Sequence, residues 1–157
     1  MTPTDRQAQI AAIRALPEQI AELTAGLTGA QLTSHFLAGE WSVAQNVHHL
    51  ADSHMNAYVR SRLIATEDNP ALKPYDQDRW AELPDATQVD LAASLALLRG
   101  LHARWTIFWE QLPSDAWQRA GFHPENGPMT LADILRTYAA HGLGHIDQIQ
   151  RTLAAQS

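Results

Sequence analysis

TLADILRTYAAHGLGHIDQIQRTLAA, residues 130–155, places Leu131, Ile134, Leu135, Tyr138, Ile149 and Leu153 at the three-and-four spacing of one inward helical stripe. Thr130 heads the stretch as an N-cap residue and Asp133 adds negative charge to the first turn, so a helix is expected from here to about Ala155. His141 and His145 occupy the same stripe. Residues four apart rise about 6 Å and share a face, so both imidazoles point the same way. A buried imidazole without a partner leaves a desolvated N–H and a desolvated lone pair. Two readings satisfy them. Each ring hydrogen-bonds a polar neighbour, or the pair grips one ion at Zn–N distances of about 2.0–2.1 Å. No Glu follows His141, so the general base built into the HExxH helix of zinc proteases is missing.

The same periodicity extends outward along the chain. Ile10, Ile13, Leu16, Ile20, Leu23 and Leu27 form a first stripe, in which Pro17 is expected to kink or restart the helix. SVAQ, residues 42–45, has the spacing of a capping box and opens a second helix expected to reach about Thr66. TEDNPALKPYDQDRWAELPDA, residues 66–86, holds three prolines and no period, the mark of a long connection. A third helix, expected from near Thr87, carries Leu91, Leu95, Leu98, Leu101, Trp105, Phe108 and Leu112. FHPENGPM, residues 122–129, is a turn-rich link, and no strand is expected. Four long helices, with one long crossover between the second and third, make an all-α four-helix bundle in a single domain over residues 1–157.

The composition narrows the function. Of 157 residues, 45% are hydrophobic and 18% charged, enough apolar side chain for a substantial core. The net charge of −6 and 11 scattered Lys and Arg argue against nucleic acid as a partner. The polar opening MTPTDRQAQ and the absence of any apolar run near the ~20 residues of a membrane span lead us to expect a cytoplasmic protein off the membrane. Without cysteine there is no thiolate ligand and no protein thiol nucleophile.

A metal needs a third ligand, and VHHLADSH, residues 47–54, offers three histidines. Periodicity nominates His54, with His48 and His49 on the flanks of its face. Trp105, Phe108 and Trp109 read as core, Tyr75 and Trp80 as candidates for a pocket wall, and His123 as a structural loop histidine.

GEWSVAQNVHHLADSHMNAYVR (residues 39–60), LHARW (101–105), FHPENGPMTL (122–131) and HGLGHIDQI (141–149), in this order, resemble the DinB/YfiT-like superfamily of metal-dependent enzymes. The resemblance runs from about Leu16 to Gln150 and leans toward the YfiT branch, which includes bacillithiol transferases. It implies a four-helix bundle, commonly a homodimer, with one divalent ion (zinc or nickel) on three histidines. By that resemblance the ligands are His49, which directly precedes the Leu of HLAD, with His141 and His145; His48 is the next choice. Gln148 matches the end of the family's last-helix motif, while Gly144 stands where the family usually has a histidine. Gln45, Ser53 and Asp52 neighbour His49 and are expected to support it, Asp52 as the catalytic base; Asp147 is expected to be solvated. The function implied is a metal-dependent hydrolase of a small-molecule substrate. Two alternatives stand beside it: a thiol S-transferase of the bacillithiol type, conjugating a low-molecular-weight thiol to an electrophile, and a non-catalytic metal- or ligand-binding bundle. Metal binding is expected to weaken below about pH 6, as imidazoles take up protons.

Overall fold

A computed structural model describes residues 1–156. Its long helices are α1 (Pro3–Thr24), α3 (Val43–Thr66), α5 (Ala92–Glu110) and α6 (Leu131–Ala154); α2 (Gly29–Thr33) and α4 (Gln77–Ala81) are single-turn pieces in the links. Reciprocal capping boxes start three of the four, through Thr2 and Asp5, Ser42 and Gln45, and Thr130 and Asp133. The third long helix begins later than the expected Thr87. Thr87 closes a turn by donating to the Pro84 carbonyl, and the Asp90 carboxylate accepts from Ala92 N at 2.9 Å, so the helix opens after Asp90.

The long helices form the expected four-helix bundle. α1 and α3 each pack against both α5 and α6, so α1 faces α3, and α5 faces α6, across the diagonals. The long connection is present at residues 67–91 and joins the neighbours α3 and α5, whereas residues 25–42 and 111–130 make the diagonal crossings. Of the two outcomes expected at Pro17, a kink or a restart, the restart does not occur: α1 runs through it as one helix. The tight spot of the bundle is Gly142, where an added Cβ would lie 2.7 Å from a Leu16 methyl. α1 therefore meets α6 closely between the two histidines.

One element departs from the all-helical expectation. β1 (Ala120–His123) pairs antiparallel with β2 (Gly127–Thr130), and Gly127 takes the left-handed conformation (φ +73°) at the end of the turn. Strands of four residues, one holding Pro128, carry too little alternation to stand out from a turn. The hairpin also holds the long connection: Leu72 N donates to Phe122 O at 2.8 Å and Phe122 N to Pro70 O at 2.9 Å. This fixes the stretch that carries Tyr75.

The apolar core has two parts, one around Trp105, Trp109 and Trp117, the other around Leu16, Ile20, Val47, Leu50 and Leu98. His49, His54, His102 and His145 are buried as well. Among the described residues, no helix is long and apolar enough to cross a membrane.

The clamp on the hairpin gives a stability test. A Cβ at Gly121 would sit 2.9 Å from the Pro70 carbonyl oxygen and 3.1 Å from Ile64, so Gly121→Ala must displace backbone. Thermal melting by circular dichroism should show a loss of about 1–3 kcal/mol, a fall of several degrees in Tm. An unchanged melt would mean that the clamp is slack.

Candidate metal centre

α3 presents His49 and α6 presents His141 and His145, one turn apart, to the same point. His141 Nε2 lies 3.3 Å from His49 Nε2 and 3.1 Å from His145 Nε2. Two nitrogens bound tetrahedrally at about 2.0–2.1 Å would stand about 3.3 Å apart, so this spacing already suits a divalent ion. No other group of three or more His, Cys, Asp or Glu among the described residues comes together in this way. Burial pushes His49 and His141 down to about 3, with His145 adding to the shift in both, and burial pushes His145 to about 4. All three rings are therefore neutral at pH 7, with lone pairs available.

Which nitrogen carries each proton follows from a single carbonyl. Residue 17 is proline and has no N–H, so the Ile13 carbonyl lacks its helical donor four residues on. His102 Nδ1–H donates to that oxygen at 2.6 Å. A carbonyl can only accept, so the proton of neutral His102 is on Nδ1 and its Nε2 accepts from His54 Nδ1–H at 2.9 Å. His54 Nε2 then accepts from His141 Nδ1–H at 3.2 Å, which leaves the His141 Nε2 lone pair facing the ligand cluster. His145 reaches the same state separately. Asn46 Nδ2 donates to the Ser42 carbonyl at 2.9 Å, and Asn46 Oδ1 accepts from His145 Nδ1–H at 2.6 Å. His141 and His145 thus turn two lone pairs on each other at 3.1 Å with no hydrogen between them. A cation resolves that contact.

Two cavities flank the cluster. One of about 360 Å³ is lined by all three histidines together with Glu40, Trp41 and Gln148. The Trp41 ring covers His49 at 4.7 Å between centroids and stacks over His145 at 6.2 Å. A second, of about 630 Å³, is lined by His141, Ser53, Arg60, Tyr75, His123 and Tyr138. Gln77 of α4 borders both.

The sequence-derived candidates sort as follows. His49, His141 and His145 come together; His54, the choice of periodicity, is fully buried one ring behind His141 and does not join them. His48 faces away, donating from Nε2 to Gln88 O at 3.0 Å and accepting from Ser94 Oγ at 2.8 Å. Asp52 is half-buried toward Asp85 and His48 and borders neither cavity; burial, then Asp85, raises its carboxyl above the usual range. Gln45 serves the Ser42 cap and donates to Ala81 O at 2.8 Å, so it holds α4 and not a ligand. Asp147 pairs with Arg151 at the surface. Gly144 faces open space, with nothing within 4 Å of where a Cβ would lie. His123 is buried and Tyr75 half-buried, both at the larger cavity, with Trp80 packed on Tyr75 at 4.5 Å.

His102, Glu40 and Arg60 are among the residues that escaped sequence reasoning. His102 lies one turn from Leu98 and from Trp105, both fully buried, a spacing that could have flagged it. Glu40 and Arg60 carry no such signal, because only the fold brings them to the cavities.

In the metal-free folded protein burial holds these imidazoles neutral to about pH 4. The unfolded chain protonates them near pH 6.5. Because the folded values are depressed, the metal-free protein should keep full stability above pH 6.5 and lose it progressively toward pH 4, read as the urea midpoint. A flat midpoint over that range would contradict the burial. His54→Phe keeps a ring but removes the acceptor of His141, and should weaken nickel or zinc binding about 10–100-fold in a chelator competition. Unchanged affinity would separate His54 from the centre.

Comparison with known proteins agrees with this geometry. The DinB superfamily model matches residues 12–149. The chain is 40% identical over 141 residues to YfiT of Bacillus subtilis, covering 89% of this chain and 79% of that one. It is 38% identical over 149 residues to a relative from Halalkalibacterium halodurans, covering 95% and 86%. The solved structure of YfiT, described as a probable metal-dependent hydrolase with an unusual four-helix bundle topology, superposes with a TM-score of 0.93 at 37% identity over 97% of this chain and 87% of that one. A mycothiol-dependent maleylpyruvate isomerase shares the fold at 16% identity, with a TM-score of 0.72 over 95% of this chain and 63% of that one. With its family model matched over nearly its whole length and its bundle and histidine cluster in place, the chain belongs to the DinB superfamily, among the YfiT-like proteins.

Proposed function

We propose that the chain is a metal-dependent hydrolase in which His49, His141 and His145 hold one divalent ion and Glu40 takes the proton from the attacking water. The donor set carries this reading: three neutral imidazoles, two with lone pairs opposed at 3.1 Å, with no fourth His, Asp or Glu joining them among the described residues. Closure by four protein ligands would have suited a structural ion better. A divalent ion bound to three neutral ligands with a place open supplies Lewis acidity and lowers the pKa of water there toward about 7.

The residues around the cluster are compatible with hydrolysis. Glu40 Oε1 is held by Arg151 at 2.8 Å, while its buried Oε2 has no hydrogen-bond partner and the residue borders the cavity over the three rings. Arg151 keeps this carboxyl below its usual range, so it is ionised at pH 7 and able to accept a proton. Sequence adjacency pointed to Asp52 instead; its position gives that role no support. Trp41 shields one side of the ligand rings from solvent, and the chain through His54 and His102 keeps the His141 proton on Nδ1. The names of the YfiT-like relatives support the same reaction class. A small substrate enters through the larger cavity beside His141.

Apolar side chains exposed on the neighbouring helices α3 and α5 (Met55, Val59, Leu97 and Ile107) support a homodimer, which light scattering at micromolar concentration should show as twice the 17.4 kDa chain. A monomer there would refute it.

The function is tested by elemental analysis and turnover of activated esters, with and without an added thiol. We expect about one divalent ion per chain, lost in His49→Ala and His141→Ala along with turnover. Glu40→Gln should keep the ion and lower turnover about 10²–10⁴-fold. A metal-free protein, an ion retained after both histidine substitutions, or turnover only with the thiol would overturn the reading.

A further inference from the structure

Arg60 of α3 is only 8% exposed, yet no carboxylate pairs with it among the described residues. Arginine is almost never buried unless paired, because an uncompensated charge in a poorly solvated site is costly. Two of its five N–H groups are used on neutral acceptors: Nη1 donates to the Tyr138 hydroxyl at 3.2 Å and Nη2 to the Lys73 carbonyl at 2.6 Å. Nε is buried without any partner. Arg60 lines the 630 Å³ cavity that His141 also borders, and its guanidinium carbon stands 5.9 Å from the centroid of the Tyr75 ring. Two further groups at this cavity feel it: burial depresses His123 and the charge adds to that shift, while burial raises Tyr75 and the charge offsets part of the rise.

We infer that Arg60 is the anchor for a carboxylate of the substrate, so that the electrophile presented beside His141 is a small carboxylic acid derivative held by its acid end. This rests on the larger cavity being the substrate's entry to the proposed metal centre. The fixed bonds to Tyr138 and Lys73 lock the plane of the guanidinium and leave one N–H on each terminal nitrogen unused. A carboxylate fits such a fork through two parallel hydrogen bonds. The rim favours a single negative charge over a double one. Asp76 and Glu125 border the same cavity, and their repulsion rises with ligand charge, which disfavours a phosphate dianion.

Calorimetric titration of benzoate, the isosteric neutral benzamide and inorganic phosphate tests the assignment on nickel-loaded protein and on protein stripped with EDTA. Benzoate should bind about tenfold or more tighter than benzamide in both forms, as a charge-assisted bond predicts. The preference should vanish in Arg60→Gln and survive in part in Arg60→Lys. Nickel uptake and circular dichroism check that each variant is folded, and the wild-type comparison stands without any variant. Equal binding of benzoate and benzamide, or a preference that Arg60→Gln leaves intact, overturns the anchor. A preference confined to the nickel-loaded form sends the carboxylate to the ion and also overturns it, leaving the metal reading untouched. Phosphate binding tighter than benzoate overturns the choice of a singly charged group. Should the protein hold no metal while benzoate still binds through Arg60, the anchor stands and the hydrolase reading falls.

Discussion

One carbonyl sets the polarity of the centre. The Ile13 oxygen, deprived of its helical donor by Pro17, can only accept, and His102 satisfies it. From there every proton position along His102, His54 and His141 is determined, over bonds of 2.6, 2.9 and 3.2 Å. A proline inside a helix ordinarily costs about 3 kcal/mol. Here the vacancy it leaves is the starting point of an ordered chain that ends in a lone pair at the ligand cluster. The close approach of α1 to α6 at Gly142 brings that starting point into the core beside the histidines.

Burial and ligation work together. Burial lowers the proton affinity of His49 and His141 to about 3 and of His145 to about 4, which would be a liability for an imidazole meant to carry charge. For a ring meant to donate a lone pair it is an advantage, because no proton has to leave first. The neutral donors also leave the charge of a bound ion uncompensated, the condition under which it acts most strongly on a reacting group. Around this proton-poor centre the fold sets two charged side chains: Glu40, steadied by Arg151, over the histidine rings, and Arg60 in the adjoining cavity.

The bundle was legible because apolar spacing, the capping box at residues 42–45 and the N-cap at Thr130 are local signals, and local signals survive into the structure. His141 and His145 were legible for the same reason, being in register with Leu131, Tyr138 and Ile149. The third histidine of the cluster was not. Periodicity chose His54, which is indeed the most buried histidine of α3, but a helix packed against both α5 and α6 buries two faces, and burial alone does not say which face meets the ligands. Resemblance to a family named His49, and the cluster contains it. Asp52 was favoured by adjacency along the chain, whereas Glu40 reaches the cavity across 101 positions from His141 only through the link before α3. The hairpin escaped because its strands span four residues each, and Pro17 was read as a kink or restart because its lost hydrogen bond is visible in sequence while the histidine that replaces the donor is not.

The direct test of this account is the tautomeric state of the buried histidines in the metal-free protein at pH 7, read by long-range ¹H–¹⁵N correlation NMR. His102, His54, His141 and His145 should all appear as neutral rings protonated at Nδ1, with Nε2 unprotonated. An imidazolium at any of these four, or a proton on Nε2 of His54 or His141, would contradict the chain that starts at the Ile13 carbonyl and with it the preset ligand geometry.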